Sequence, residues 1–398
     1  MTTTDEDTAS TANTDLGTDR IQRITMPKWG LSMESGKVTD WFVTEGDELT
    51  HGQDICEIDT DKIAGALEST WTGTVRALVV DTMVEVPVGG TIALVADVDV
   101  PQEEIDAALA QAREQLASGD IADDSGPRLA TVEVNGTSIS YAVLEPDGES
   151  TGAPVVFVHG YGGDKDSWMF VQEPIASDVD RGRATYALDL PGHGSSSKDV
   201  GAGTVESLAA TLLGFLDALD LSTVHLVGHS MGGAVVTAVA GNPGAAGRVA
   251  SLTLISPAGY GPEINADYIR GFASAETRRE LKPHLLQLFA DQSLVQRQLI
   301  DDLLKYKRLD GVDKALATLS GDLLDGDRSG IDVTAAQASF AGPTVAVWGA
   351  QDRIVPASNA AALDGRASVH LVDGAGHMAH MEKPQEVVAA IREAIGSG

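Results

Sequence analysis

The stretch Ser222–Gly241, STVHLVGHSMGGAVVTAVAG, reads as a strand, a sharp turn and a helix in immediate succession. Val224–Val227 is a short apolar run of the kind that is buried on both faces of a parallel sheet. The pentad Gly228-His229-Ser230-Met231-Gly232 fits G-x-S-x-G, and an apolar helical segment follows it. Small residues on both sides of the turn let Ser230 project without clashes. A free serine hydroxyl is a poor nucleophile; it needs a base, and the base needs an orienting acid. Asp352 in VWGAQDRIVP and His377 in DGAGHMAHMEKP each follow a strand pattern further along the chain. His380 is the rival base, but its Met-rich surroundings read better as packing. An acyl-transfer site also needs donors aimed at a developing oxyanion. The backbone N–H groups of Met231 and of Tyr161, in HGYGGDKDSW, are the candidates.

Working outward, apolar runs at 154–160, 184–194, 222–230, 250–259, 343–352 and 367–377 read as buried parallel strands. Helical patterns lie between them, as at 204–219. This is the signature of an α/β domain over 129–398, with sites gathered at the carboxyl ends of the strands. The elbow, the order Ser–Asp–His, the His159-Gly160 loop and LDLPGHGSS at 188–196 together resemble the α/β-hydrolase superfamily. The resemblance implies catalytic roles for Ser230, Asp352 and His377, an oxyanion hole at Tyr161 and Met231, and structural roles for His159 and His193. It also implies a helical cap over about 261–332. Arg270, Arg278, Arg279, Lys282, Lys305, Lys307 and Arg308 make that cap less acidic than the rest of the chain. They read first as a solvated face, and second as a surface for phosphates or an acidic domain.

Residues 21–98 contain an internal repeat. GKVTDWFVTEGDELTHGQDICEI at 36–58 aligns without a gap to GTVRALVVDTMVEVPVGGTIALV at 73–95. Short Val-, Ile- and Thr-rich runs punctuated by glycine read as strands and turns. Two copies predict two related sheets packed face to face. Lys62 falls between the copies, near the tip of a turn in EIDTDKIAGALES. On spacing alone it is equally an ordinary solvated residue. The whole segment, however, resembles a lipoyl domain of the 2-oxo acid dehydrogenase type, and Thr-Asp-Lys matches the turn that takes lipoate in amide linkage. The related biotinyl domains flank their lysine with Met, whereas Lys62 is flanked by Asp61 and Ile63. The resemblance therefore implies N6-lipoyl-Lys62.

The 398-residue chain is thus expected to be multidomain: an all-β lipoyl sandwich followed by an α/β-hydrolase domain with a helical cap. Residues 1–20 are polar, acidic and without a secretory pattern, and read as a disordered tail. Residues 99–128 read as a connection holding a short amphipathic helix, either a solvated linker or a docking helix for a partner. The formal net charge of −32 argues against nucleic acid and anionic membranes as partners. No apolar run is long enough to span a bilayer. The one cysteine, Cys56, forms no internal disulfide and reads as a packed residue, which fits a cytoplasmic compartment.

A lipoyl domain fused to an α/β-hydrolase domain resembles the acetyltransferase subunits of acetoin dehydrogenase complexes. That implies acetyl transfer from dihydrolipoyl-lysine to coenzyme A, a thiamine-diphosphate-dependent acetoin dehydrogenase and a dihydrolipoyl dehydrogenase as partners, and a homo-oligomer. One departure matters. The motif His-x-x-x-Asp-Gly of the usual acetyltransferase domain is absent, so transfer would fall to Ser230. The other expectations are thioester hydrolysis at the same serine, or a carrier subunit with an idle Ser230.

Overall fold

The computed structural model describes residues 20–27, 33, 35–50, 52–60, 64–69, 71–119, 127–146, 150, 152–178 and 182–396. Lys62, with Asp61 and Ile63, lies outside the described residues, as do residues 1–19 of the expected tail and 120–126 of the expected connection. The chain forms two compact units.

The first unit contains β1 (Ile21–Thr25), β2 (Ser35–Trp41), β3 (Glu48–Leu49), β4 (Asp54–Thr60), β5 (Ala64–Glu68), β6 (Gly73–Leu78), β7 (Glu85–Pro87) and β8 (Thr91–Ala96). They form two four-stranded sheets, ordered β1-β8-β6-β3 and β5-β4-β2-β7. The sequence repeat is therefore a pseudo-two-fold with an exchange: β3 of the first copy completes the sheet of the second, and β7 does the reverse. Matching backbone bonds bear this out. Gly46 N–H donates to Val75 O at 2.8 Å, and Met83 N–H to Val38 O at 2.7 Å. Phe42 N–H donates to Ile55 O and Val79 N–H to Ile92 O, both at 2.8 Å. Val38, Ile55, Ile58, Val75, Ile92 and Val95 fill the interior. Cys56 is fully buried there, and burial pushes its thiol up to about 12.

Helix α1 (Gln102–Ser118) is not a solvated linker. Ile105 and Ala112 are buried in one cluster with Ala77 of β6, Val79 just after it, and Leu94 and Ala96 of β8. Arg23 on β1 holds Gln111 and Gln115 at 2.9 and 3.1 Å. The repeat explains why only one sheet carries a helix. The positions in the first copy that match Ala77, Val79, Leu94 and Ala96 are Asp40, Phe42, Glu57 and Asp59, all exposed. Three carboxylates cannot be covered cheaply by an apolar helix face.

The second unit opens with a hairpin, β9 (Arg128–Val134) and β10 (Thr137–Leu144), turned at Asn135-Gly136 with φ of 51° and 82°. Both residues sit in the left-handed region that a two-residue hairpin turn requires. There follow β11 (Val155–Val158), α2 (Met169–Ala176), β12 (Thr185–Leu188), α3 (Val205–Ala218), β13 (Val224–His229), α4 (Met231–Ala240) and β14 (Val249–Ile255). The cap holds α5 (Ala266–Ser274), α6 (Arg278–Leu285), α7 (Arg297–Lys307) and α8 (Val312–Leu323), with a ribbon of β15 (Leu324–Asp325) and β16 (Arg328–Ser329). The chain returns through α9 (Thr334–Ser339), β17 (Thr344–Gly349), β18 (Ser368–Val372), α10 (Ala379–Glu382) and α11 (Pro384–Gly396).

The sheet has eight strands in the order β18-β17-β14-β13-β11-β12-β10-β9. The six runs read as parallel strands are parallel neighbours, and β10 joins β12 antiparallel. β11, β13 and β17 are buried throughout, as strands covered on both faces must be. β18 departs from the expected burial: as the terminal strand it exposes Ser368–Leu371 and buries Val372 alone. One core lies under α3, α4 and the cap; the other lies under α2 and α11.

Candidate active site

Ser230 sits between β13 and α4 with φ 53° and ψ −118°, a conformation that costs an L-residue of order 1–3 kcal/mol. The surroundings hold it there. Ser230 N–H donates to Ile255 O at 3.0 Å, and its carbonyl accepts from Gly233 and Ala258 N–H, each at 3.0 Å. A β-carbon at Gly232 would collide with the carbonyl oxygens of Val158 and His159, so only glycine lets α4 run this close to β11. Met231 is the first residue of α4, and the first N–H groups of a helix have no partner within it. The loop after β11 lies against the elbow: a β-carbon on Gly160 would sit 2.9 Å from Ser230 Cβ. Tyr161 and Met231 thereby flank the serine from two elements.

Asp352 follows β17 and His377 follows β18, at the carboxyl ends of neighbouring strands. His377 Nδ1–H donates to Asp352 Oδ2 at 2.8 Å. Asp352 Oδ1 accepts from Ile354 and Val355 N–H at 2.8 and 3.0 Å. A carboxylate held this way fixes the imidazole tautomer and leaves Nε2 with its lone pair free to take a proton. The His377 loop is pinned from two sides. His377 N–H donates to Leu288 O at 2.8 Å, and Glu382 accepts from Gly376, Ala290 and Asp291 N–H.

His229, one of the two variable positions of the pentad, has a part of its own. Its Nε2–H donates to the His377 carbonyl at 2.9 Å, and the two rings lie 4.7 Å apart. The Ser230 turn and the His377 loop are thus bonded to each other one residue from Ser230. Burial, then the neighbouring His380 and His377, holds His229 well below its ordinary range, so it stays neutral. His380 lies deeper, in tilted ring contact with Trp168 and His229 at 4.7 and 4.6 Å, and among the described residues neither of its ring nitrogens has a hydrogen-bond partner.

His159 and His193 are engaged by backbone. His159 Nε2 accepts from Leu190 N–H at 3.0 Å and its Nδ1–H donates to Gly160 O at 2.7 Å. His193 Nε2 accepts from Gly162 N–H at 3.1 Å. The same loop is anchored by the buried Lys165–Asp189 pair at 2.8 Å, whose carboxylate also accepts from Lys165 and Ser195 N–H. The cap closes directly on it: Tyr161 O–H donates to Leu316 O in α8 at 3.0 Å, and Phe272 of α5 fills the space beside Gly162. Of the cap cations, Arg270, Arg278 and Lys305 pair with Asp327, Asp301 and Asp302, and Lys307 holds the carbonyls of Phe272 and Ala273. Arg279, Lys282 and Arg308 are exposed.

A serine elbow and an Asp–His pair at the carboxyl ends of strands of this sheet, preceded in the chain by a lipoyl-type sandwich, define a two-domain α/β hydrolase. The family model of the α/β hydrolase fold matches residues 153–384, and that of the biotin-requiring enzymes, which covers biotinyl and lipoyl domains, matches 22–95. Two relatives extend across both domains, each a dihydrolipoyllysine-residue acetyltransferase component of an acetoin cleaving system. That of Pseudomonas putida is 42% identical, covering 92% of this chain and 96% of its own. That of Cupriavidus necator is 40% identical, covering 94% and 97%. The chain belongs to the family of these acetyltransferase components. Among solved structures, 2-hydroxy-6-oxo-6-phenylhexa-2,4-dienoate hydrolase from a Rhodococcus species superposes with a TM-score of 0.59 at 19% identity, covering 68% of this chain and 99% of that one; this is likeness of fold. Among the described residues no helix is long and apolar enough to cross a membrane.

Proposed function

We propose that the chain transfers acetyl from S-acetyl-dihydrolipoyl-Lys62 to coenzyme A through an acetyl ester on Ser230, as the acetyltransferase component of an acetoin cleaving system. The observation that carries this reading is the 2.8 Å Asp352–His377 pair beside the serine elbow, in a chain that also folds a lipoyl-type sandwich. Lipoate in amide linkage supplies an acyl thioester on a long arm. Lys62 fits that attachment: it lies between the end of β4 at Thr60 and the start of β5 at Ala64, neighbouring strands of one sheet.

His377 Nε2 takes the Ser230 proton as Oγ attacks the thioester carbonyl carbon. Met231 and Tyr161 N–H stabilise the oxyanion. His377 then returns the proton to the departing sulfur as the C–S bond breaks, leaving acetyl on Ser230. In the second half, His377 takes the coenzyme A thiol proton while that sulfur attacks the acetyl carbon. The C–O bond breaks and Ser230 Oγ regains the proton. One thioester is consumed and one formed, with no change of oxidation state. Asp352 orients the ring.

In the wider system we place a thiamine-diphosphate-dependent acetoin dehydrogenase before this step and a flavin-dependent dihydrolipoyl dehydrogenase after it. The chain works there as a homo-oligomer in the cytoplasm; support comes from the family resemblance and the free buried Cys56. The test is a single turnover with acetylated dihydrolipoyl protein and coenzyme A. Acetyl-coenzyme A, lost in Ser230→Ala, is the expected product. Free acetate alone would make the chain a hydrolase, and undiminished transfer by Ser230→Ala would remove the serine from the mechanism.

A further inference from the structure

β18 ends the eight-stranded sheet, and among the described residues no strand pairs with its outer side. An edge strand offers a row of unpaired N–H and C=O groups, which proteins usually shield with lysine, proline or a bulge. β18 reads Ser-Val-His-Leu-Val, and its parallel register with β17 from Ser368 to Val372 is unbroken. It carries none of those shields. Val369 is 37% and Leu371 62% exposed, and alternation puts both on one face. The other face holds His370, 2.7 Å from Glu393 on α11, and the buried Val372.

We propose that this edge is a self-association surface on which a second copy of the chain pairs antiparallel, about a two-fold axis through His370. A two-fold contact must be self-complementary. An axis perpendicular to the sheet keeps each face with itself, so opposed residues share parity. Centring on His370, the middle of β18, sets Val369 against Leu371 of the second copy and Leu371 against its Val369, a pair of apolar cross-strand contacts. Centring on Val369 would oppose Leu371 to Ala367, and centring on Leu371 would oppose Val369 to the charged Asp373. The ends of the strand are complementary in charge: Arg366 precedes it and Asp373 follows it. Antiparallel pairing brings the Arg366 end of one copy beside the Asp373 end of the other. The two sheets become one continuous sheet. This rests on the fold and not on the reading of Ser230.

The register is tested in the full chain with His370→Cys. Cys56 is buried and does not compete. A residue on the axis faces itself at roughly 4.5–5.5 Å between Cα atoms, within disulfide reach. Mild oxidation is therefore expected to give a reducible covalent dimer. Ser368→Cys lies roughly 14 Å from its own copy in this register and is expected to stay uncross-linked. By light scattering, Leu371→Lys is expected to lower the mass of the wild-type assembly by a factor of two, with its circular dichroism unchanged. A monomeric wild type, equal cross-linking at 368 and 370, or an unchanged mass for Leu371→Lys would each overturn the proposal.

Discussion

His377 Nδ1 stands 2.8 Å from Asp352 Oδ2, and neither side chain is more than 3% exposed. The other carboxylate oxygen is already committed to Ile354 and Val355 N–H. Asp352 therefore cannot turn away from the ring without stranding two buried donors. Asp352→Asn keeps the shape but offers the ring an amide, which favours the wrong tautomer. Single-turnover transfer is expected to fall about 10³–10⁴-fold with the fold intact. A loss below tenfold would mean that another group orients His377.

Ser230 occupies left-handed backbone that glycine adopts freely. Ser230→Gly is therefore expected to abolish transfer yet raise stability by about 1 kcal/mol, the relieved strain exceeding the extra freedom of the unfolded chain. Ser230→Ala is expected to abolish transfer without that gain. Thermal unfolding of the two variants side by side checks the difference.

His380 separates packing from catalysis. Both its ring nitrogens are buried without partners, and burial, then the nearby His377, lowers its pKa to about 3. His225 is lowered to about 4 by burial and then by Arg183. Both rings are neutral in the fold and take up protons near 6.5 when released. Below that pH the unfolded chain binds more protons, so stability is full above about 6.5 and falls as pH drops toward about 4 and then 3. His380→Phe keeps the ring contacts with Trp168 and His229 and removes two stranded polar atoms. It is expected to leave transfer within a few-fold of wild type, hold or raise the melting temperature at neutral pH, and flatten the acid side of the stability profile. Collapse of transfer would instead make His380 the base.

Tyr161 ties the loop after β11 to the cap through its 3.0 Å bond to Leu316. Tyr161→Phe keeps the backbone donor but loses that bond, worth about 1 kcal/mol. If the cap protects the acetyl ester by excluding water, the share of acetyl lost as acetate rises while transfer falls less than tenfold. The ratio of acetate to acetyl-coenzyme A in one turnover measures it.

Much of this was legible in the sequence because the chemistry constrains the backbone. The elbow needs Gly232, the Ser–Asp–His order follows successive strand ends, and the repeat is visible as aligned glycines and valines. What escaped depends on distant partners. The periodicity of Gln102–Ser118 marked an amphipathic helix, but its seat on Ala77 and Leu94 is a property of the other side of the contact. β18 resembles the buried strands in composition and differs only in being last. The β9–β10 hairpin did carry a local signal, Asn135-Gly136, between two alternating runs. His229 carried none: its bond to the His377 carbonyl spans positions far apart in the chain and appears only on folding.

Passage of acetyl through the Ser230 hydroxyl can be observed directly. The most direct measurement is rapid quenching of the lipoylated protein after its arm is acetylated, without coenzyme A, followed by peptide mass mapping. Acetyl on Ser230 is expected, accumulating in the wild type, disappearing when coenzyme A is added, and absent in Ser230→Ala. Acetyl that stays on the arm until coenzyme A arrives, with Ser230 unmodified at every time point, would contradict it.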